Sequence, residues 1–230
     1  MIKTIKSKFL SPIILLIGFS LSGFAHAQPN TSFGYKWNDS DPYLLSYVKN
    51  NREKLVSQAK FAYDSGFQYR EFIEKKASEY SIPREIYALA AVESSFNPKA
   101  VSQANAKGMW QFMKGTGSDM GLDVYAKIDE RHDWKKSTEA AMKYIKLLAD
   151  DNFQGNYELA VLSYNAGVGK VKRAIVKHQT ADVWVLIQDK DLFRTESREY
   201  LLRFIAYINY FRYLDKTNGI DPNTAYVMNL

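Results

Sequence analysis

Between Glu196 and Lys216, large apolar side chains recur at three- and four-residue steps: Tyr200, Leu201, Phe204, Ile205, Ile208 and Phe211. That period places them on one face of a long helix. The rest of the chain follows the same rhythm. Asp41-Pro42 suits a helix start, with Asp as cap and Pro in the first turn, and Asp64-Ser65-Gly66 reads as its break. A second helix is expected over about 67–79, with Phe72, Ile73, Ala77 and Tyr80 roughly on one face. Ser81-Ile82-Pro83 opens a third. Ser137 begins another, with Ala141, Tyr144, Ile145 and Leu148 as its buried stripe. Asn156 is a good N-cap for a helix reaching Asn165, with Gly167 as its stop. A short helix follows from Val168 to about Lys177. Residues 97–136 are richer in Gly, Asn, Asp and Ser and predict short helices and loops. No segment alternates as a strand does, so the expected fold class is mainly α.

The first 27 residues read as an export signal. Lys3, Lys6 and Lys8 form a positive start, Leu10 to Phe19 an apolar run, and Ala25-His26-Ala27 a small-x-small cleavage site. A membrane anchor is the rival, but the clean apolar run falls short of the ~20 residues a span needs. The expected organisation is a signal over 1–27, a helical N-terminal extension over 28–75 that opens with a loose polar arm, a compact domain over 76–215, and a tail over 216–230. Removing the signal's three lysines takes the formal charge from +6 to +3. That mild excess tolerates an anionic polymer but does not demand one. No Lys/Arg run with interleaved aromatics points to nucleic acid.

There is no cysteine. An exported chain without disulfides must be held by its core, which about 200 residues can supply. Leu21-Ser22-Gly23 resembles the start of a lipid-attachment signal, but Phe24 stands where its cysteine would be, so no lipid anchor is expected. His132 and His178 lack ligand spacing, and no metal or other cofactor is expected.

Within Ala90-Ala91-Val92-Glu93-Ser94-Ser95-Phe96-Asn97-Pro98, one carboxylate sits among apolar residues at a helix end. Pro98 disfavours helical geometry at Asn97, so the helix should stop near Phe96. Glu93 then lies at the negative end of the helix dipole, which disfavours an anion by roughly 0.3–1 kcal/mol. Apolar neighbours act in the same direction. Both effects raise the carboxyl pKa and suit a general acid at neutral pH; alone, an ordinary surface Glu explains the residue as well.

Three further motifs follow. Gly108-Met109-Trp110-Gln111-Phe112-Met113 combines a permissive glycine with Gln111, which can donate and accept hydrogen bonds. Trp110 either stacks on a sugar ring or joins a buried aromatic–Met cluster. Ser163-Tyr164-Asn165-Ala166-Gly167 sets polar groups beside exposed backbone at a helix end. Thr195-Glu196-Ser197-Arg198-Glu199-Tyr200 opens the long helix. There Thr195 can cap, both Glu residues suit the positive dipole end, and Tyr200 belongs to core or cleft.

In this order and spacing, the four elements resemble the catalytic domain of lytic transglycosylases over about residues 76–214. The Gly-x-Trp-Gln variant and the helical extension are most similar to the membrane-bound type D branch. Two departures stand out: Ser163 where Ala is usual, and no carbohydrate-binding repeats after the domain. The resemblance implies a lysozyme-like, mainly helical fold. It implies cleavage of peptidoglycan glycan strands between N-acetylmuramic acid and N-acetylglucosamine, with a 1,6-anhydro end, by an exported, periplasmic enzyme. It assigns the catalytic acid to Glu93. It places Ser94, Gln111, Tyr164 and Asn165 in the sugar cleft, with Glu196 and Tyr200 lining or supporting it. A second carboxylate, usual in glycosidases, would have to come from Asp119, Asp123, Asp129, Glu130 or Asp133, all in a polar stretch. A hydrolytic lysozyme-like enzyme and a non-catalytic wall-binding protein on the same fold are the alternatives. N-terminal sequencing of exported protein is expected to begin at or near Gln28; Met1 there would instead indicate an uncleaved anchor.

Overall fold

The computed structural model describes residues 35–218 apart from residue 126. The expected signal, the start of the extension and nearly all of the tail lie outside these residues. The described residues form α1 (Pro42–Glu79), α2 (Tyr87–Ser94), α3 (Lys114–Asp119), α4 (Trp134–Lys146), α5 (Tyr157–Ala166), α6 (Val168–His178), α7 (Val183–Leu186) and α8 (Thr195–Lys216). A π-turn over Leu147–Asp151 continues α4. Among the described residues there is no strand, only isolated antiparallel bridges joining Val101 to Lys107 and Lys107 to Phe112. The fold is mainly α, as the periodicity predicts.

Helix α8 is the hub and packs against α1, α2 and α5. Its stripe is buried as expected. Burial extends further round the helix, to Leu202, Ala206 and Tyr210, because neighbours cover it on more than one side. Thr195 is not its cap. It is already helical, and its hydroxyl accepts a hydrogen bond from Arg198 at 3.1 Å instead.

Helix α1 differs most from expectation. It runs unbroken through Asp64-Ser65-Gly66. Asp41 caps it, accepting from the Tyr43 N–H at 2.8 Å, and Pro42 occupies the first turn. Gly66 serves packing rather than a turn. A Cβ there would collide with the Phe96 ring and the Tyr87 hydroxyl, so only glycine lets α2 and its following turn approach this closely. Ion pairs one turn apart, Lys60 with Asp64 at 2.6 Å and Arg70 with Glu74 at 2.7 Å, support the helix on either side of the glycine. Arg70 also holds Asp215 in a two-pronged contact at 2.5 and 2.6 Å, tying α1 to the end of α8.

Other boundaries shift for local reasons. Helix α4 starts at Trp134 rather than Ser137 because Asp133 accepts from the N–H groups of Lys135 and Lys136. Asn156 caps α5 as expected, accepting from Leu159 N–H at 3.0 Å. Gly167, at φ 86°, ends it in a conformation a side chain disfavours. The four-residue α7 has too short a pattern to be read from sequence. The described part of the polar arm is not loose: Trp37 is buried edge-on against Phe204, and the Asn38 N–H donates to Glu158 at 2.8 Å.

Gly66→Ala is expected to lower stability. Overpacking typically costs about 1–3 kcal/mol, and the roughly 1 kcal/mol gained in helix propensity offsets only part. Thermal denaturation should show a melting point lower by a few degrees; an unchanged or higher one would refute the close approach.

Candidate active site

Helix α2 stops abruptly. Ser95 and Phe96 both take left-handed backbone angles, φ 52° and 62°, so the helix ends at Ser94, two residues before the expected stop. Such angles are unfavourable for a bulky residue. Phe96 is held there by burial: its ring lies tilted, 4.6 Å from that of Tyr87, and fills the space above Gly66. Backbone bonds from Ser95 to Ala91 and from Phe96 to Ala90 close the turn. The reversal leaves Glu93 as the penultimate residue of the helix.

Glu93 is half-buried, and one carboxyl oxygen accepts a hydrogen bond from the Tyr200 hydroxyl of α8. Burial pushes its pKa from 4.5 up to about 7. The Tyr200 bond and the positive charge of Arg203 oppose the rise, and the negative charge of Glu196 adds to it. Burial, with the Glu93 charge adding, also holds the Tyr164 and Tyr200 phenols well above their ordinary value of 10.0. Both stay protonated and remain hydrogen-bond donors.

The Gly108–Phe112 turn packs beside this carboxyl. Lys107 and Phe112 exchange backbone hydrogen bonds of 3.0 and 3.1 Å across it. Gly108, at φ 80°, lies so close to the Arg131 carbonyl that no Cβ would fit. Two side chains brace the turn from outside. Ser94 Oγ donates to the Met109 carbonyl at 2.8 Å, and Tyr164 Oη to the neighbouring Trp110 carbonyl at 2.8 Å. Gln111 takes a left-handed conformation, and its amide donates to the Gly108 carbonyl at 2.8 Å. Four distant sequence elements thus meet: α2 supplies Glu93 and Ser94, the turn Gln111, α5 Tyr164, and α8 Tyr200 and Glu196.

The profile of the family described as Transglycosylase SLT domain matches residues 70–187. The chain belongs to this family. It is 30% identical over 166 residues to the membrane-bound lytic murein transglycosylase D of Escherichia coli K12, covering 69% of this chain and 35% of that protein. The chain therefore spans about a third of that relative's length. Among solved structures, it superposes on a lytic transglycosylase Slt of Pseudomonas aeruginosa with a TM-score of 0.55 at 20% identity, over 79% of this chain and 38% of that one. It matches the 70 kDa soluble lytic transglycosylase of Escherichia coli with a TM-score of 0.56 at 22% identity, over 75% and 30%. These likenesses extend the SLT assignment to the fold: a lysozyme-like helical domain.

Within this SLT domain the remaining sequence-picked residues divide. Asn165 and Glu196 are exposed at the ends of α5 and α8. Trp110 takes the second of its two expected settings: it is fully buried, its indole N–H donates to Thr138 Oγ1 at 2.9 Å, and its face is closed to any sugar. The loop carboxylates are engaged elsewhere or lie in solvent. Asp129 grips Arg131 and Lys107, and these cations hold it well below the usual carboxylate range. Glu130 pairs with Lys136, and Asp133 caps α4. Asp119 and Asp123 are exposed.

Two residues carry weight that sequence reasoning missed. Arg131 is 2% exposed; besides Asp129 it donates to the Asn105 and Phe112 carbonyls, each at 3.1 Å, so it fixes the loop behind the turn. Arg203 follows Tyr200 by three residues on α8, and its charge reaches Glu93. That spacing, one helical turn, was the available signal. Among the described residues no group of three or more His, Cys, Asp or Glu is arranged to hold a metal, and no helix is long and apolar enough to cross a membrane.

The raised carboxyl makes stability depend on pH. A carboxyl whose pKa rises on folding binds its proton more tightly in the folded chain. Its contribution is full below the unfolded value of 4.5 and is lost as pH climbs through about 7. Glu158, buried beneath the arm, is also raised to about 7 and acts in the same direction. Urea midpoints of the wild type should therefore fall between pH 4.5 and 7, and Glu93→Gln should flatten part of that decline. Parallel curves would show that Glu93 is not buried enough to matter.

Proposed function

We propose that this chain is a lytic transglycosylase acting on the glycan strands of peptidoglycan. It cleaves the β-1,4 bond between N-acetylmuramic acid and N-acetylglucosamine and leaves a 1,6-anhydro end. Glu93 carries this reading: its pKa of about 7 leaves both protonation states populated near neutrality. One group can then give a proton and take one back.

In the first step the protonated Glu93 donates to the glycosidic oxygen as the bond to C1 breaks. The N-acetyl oxygen of the muramic unit closes onto C1 and takes up the developing positive charge. In the second step the Glu93 carboxylate removes the proton of the muramic 6-hydroxyl. That oxygen attacks C1, the N-acetyl oxygen leaves, and Glu93 is protonated again. No water is consumed and no metal or cofactor is needed. Tyr200 holds the carboxyl in place throughout. Ser94 and Tyr164 fix the Met109 and Trp110 carbonyls, which sets the cleft wall that carries Gln111. Gln111, Asn165 and Glu196 meet the sugars. Since the substrate lies in the cell envelope, the reading includes export to the periplasm, with residues 1–27 as signal.

A hydrolytic reading rests on Glu196, an exposed carboxylate whose charge reaches Glu93 and could activate a water. Product mass separates the two, since the anhydro product is one water lighter. Glu93→Gln keeps shape and hydrogen bonding but carries no transferable proton. General acid–base catalysis contributes typically ~10²–10⁴-fold, and because one group serves both steps the loss should reach the upper end. Purified peptidoglycan digested by the wild type should yield anhydro products, and the folded Gln variant almost none. Near-normal turnover by that variant would sink the assignment.

A further inference from the structure

The stretch ahead of α1 is fastened across the domain by a few contacts that act in opposite directions. Trp37 is buried, with its ring 5.1 Å from that of Phe204 on α8. Tyr35 packs edge-on against Trp37 at 4.5 Å and against Tyr157 of α5 at 5.2 Å. These rings favour the docked position. Two polar groups oppose it. The Trp37 indole N–H lies out of solvent without an acceptor, a cost that undocking relieves. Glu158 of α5 is 9% exposed, and its carboxyl accepts from the Asn38 N–H at 2.8 Å. The charges that act on it are both acidic: Asp182 ahead of α7 and Asp41, the cap of α1. The phenols of Tyr35 on the arm and Tyr157 on α5 are held above their ordinary value by burial, so they stay neutral. Lys36 of the arm is exposed. Glu158 is therefore a nearly buried carboxyl beside two acids, covered by the arm.

We propose that residues 35–41 form a pH-sensitive strap, which Glu158 holds against α5 and α8 when protonated and releases when ionised. Docking strips water from the carboxyl and sets it near Asp41 and Asp182, and a bound proton removes both penalties. The protonated group still offers its carbonyl oxygen to the Asn38 N–H. With the arm docked the carboxyl is raised to about 7, against 4.5 in water. The gain from the proton is full below 4.5 and is lost as pH climbs through about 7. The strap reaches the rest of the molecule through Trp37. Its seat, Phe204, lies one turn beyond Tyr200 on α8, so the strap braces the helix that presents the hydrogen-bond partner of Glu93. Acid tightens this brace and mildly alkaline conditions loosen it. The device is separate from Glu93 and independent of the reaction assigned to it.

The test follows amide hydrogen exchange of the whole chain by NMR. Protection of the Asn38 amide, corrected for free-amide exchange, should fall about tenfold between about pH 6 and about pH 8. It should stay below that of Ile205, buried in α8, at every pH. Glu158→Gln keeps an acceptor oxygen and carries no charge, so its Asn38 protection should not change over this range. Asp182→Asn removes the larger of the two acidic influences and can still cap α7, where Asp182 accepts from the Trp184 N–H. It should move the fall to lower pH, and it keeps the test open if Glu158→Gln does not fold. Constant protection in the wild type, a fall in Glu158→Gln equal to that of the wild type, or an unmoved midpoint in Asp182→Asn would overturn the strap. So would protection of Asn38 equal to that of Ile205, since the arm would then open only with the whole domain.

Discussion

A carboxyl group placed at the negative end of a helix, against apolar walls, is the constraint around which this domain is organised. Left alone, Glu93 would favour solvent or a cationic partner. The structure gives it a neutral donor instead, the Tyr200 hydroxyl, and keeps Arg203 near enough to temper its pKa without forming a salt bridge. A direct pair with arginine would hold the carboxyl ionised near neutrality. A phenol with its own pKa held high satisfies the oxygen and leaves the protonated form accessible. Helix α8 carries both groups, which is why it must be buried and rigid. Phe96, seated over Gly66, fixes the opposite side by ending α2 where it does.

The second layer of order lies in the loop between α2 and α4. It has little regular structure, yet it forms the wall next to Glu93. Its fixation comes from polar contacts. Arg131 is buried and holds two carbonyls and Asp129, so that every charge it carries is matched. A buried ion pair of this kind contributes uncertain net stability, but it leaves the loop one arrangement that satisfies all donors. Ser94 and Tyr164 then clamp adjacent carbonyls of the turn from α2 and α5. Removing either hydroxyl would free one carbonyl of the turn.

The helical class, the Asn156 cap, the α8 stripe and the setting of Glu93 were all legible in the chain, because each depends on local period or on neighbours within a turn. What was hidden depends on distant partners. Gly66 reads as a breaker until Phe96 and Tyr87 are brought against it from another helix. Trp110 suits a sugar platform or a core cluster in the chain, and only the fold decides, when Thr138 takes its N–H and the core closes over its ring. Ser94 and Tyr164 stand in the motifs, yet the contacts they make are with backbone carbonyls, which no motif announces. Arg203 is marked in the chain only by its one-turn spacing from Tyr200, and its charge reaches Glu93 only once α8 packs against α2.

The packing of α1 against α8 bears on how the N-terminal helix is understood. The family match begins at residue 70, well inside α1, and the sequence suggests a separate extension up to residue 75. The packing joins them. Leu44, Val48, Leu55, Val56, Ala59 and Ala62 belong to the same buried core as the α8 stripe, and α1 and α8 lie side by side. The helix crosses residue 75 without a break, and its Arg70 clamps Asp215 near the end of α8. An extension attached only by a linker could vary freely without disturbing the chemistry. This one supports the helix that presents Tyr200 and Arg203, and its Gln58 and Phe61 line an open groove with Arg203 and Tyr207. Sequence change along the first half of α1 therefore acts on the setting of Tyr200 and Arg203 through α8.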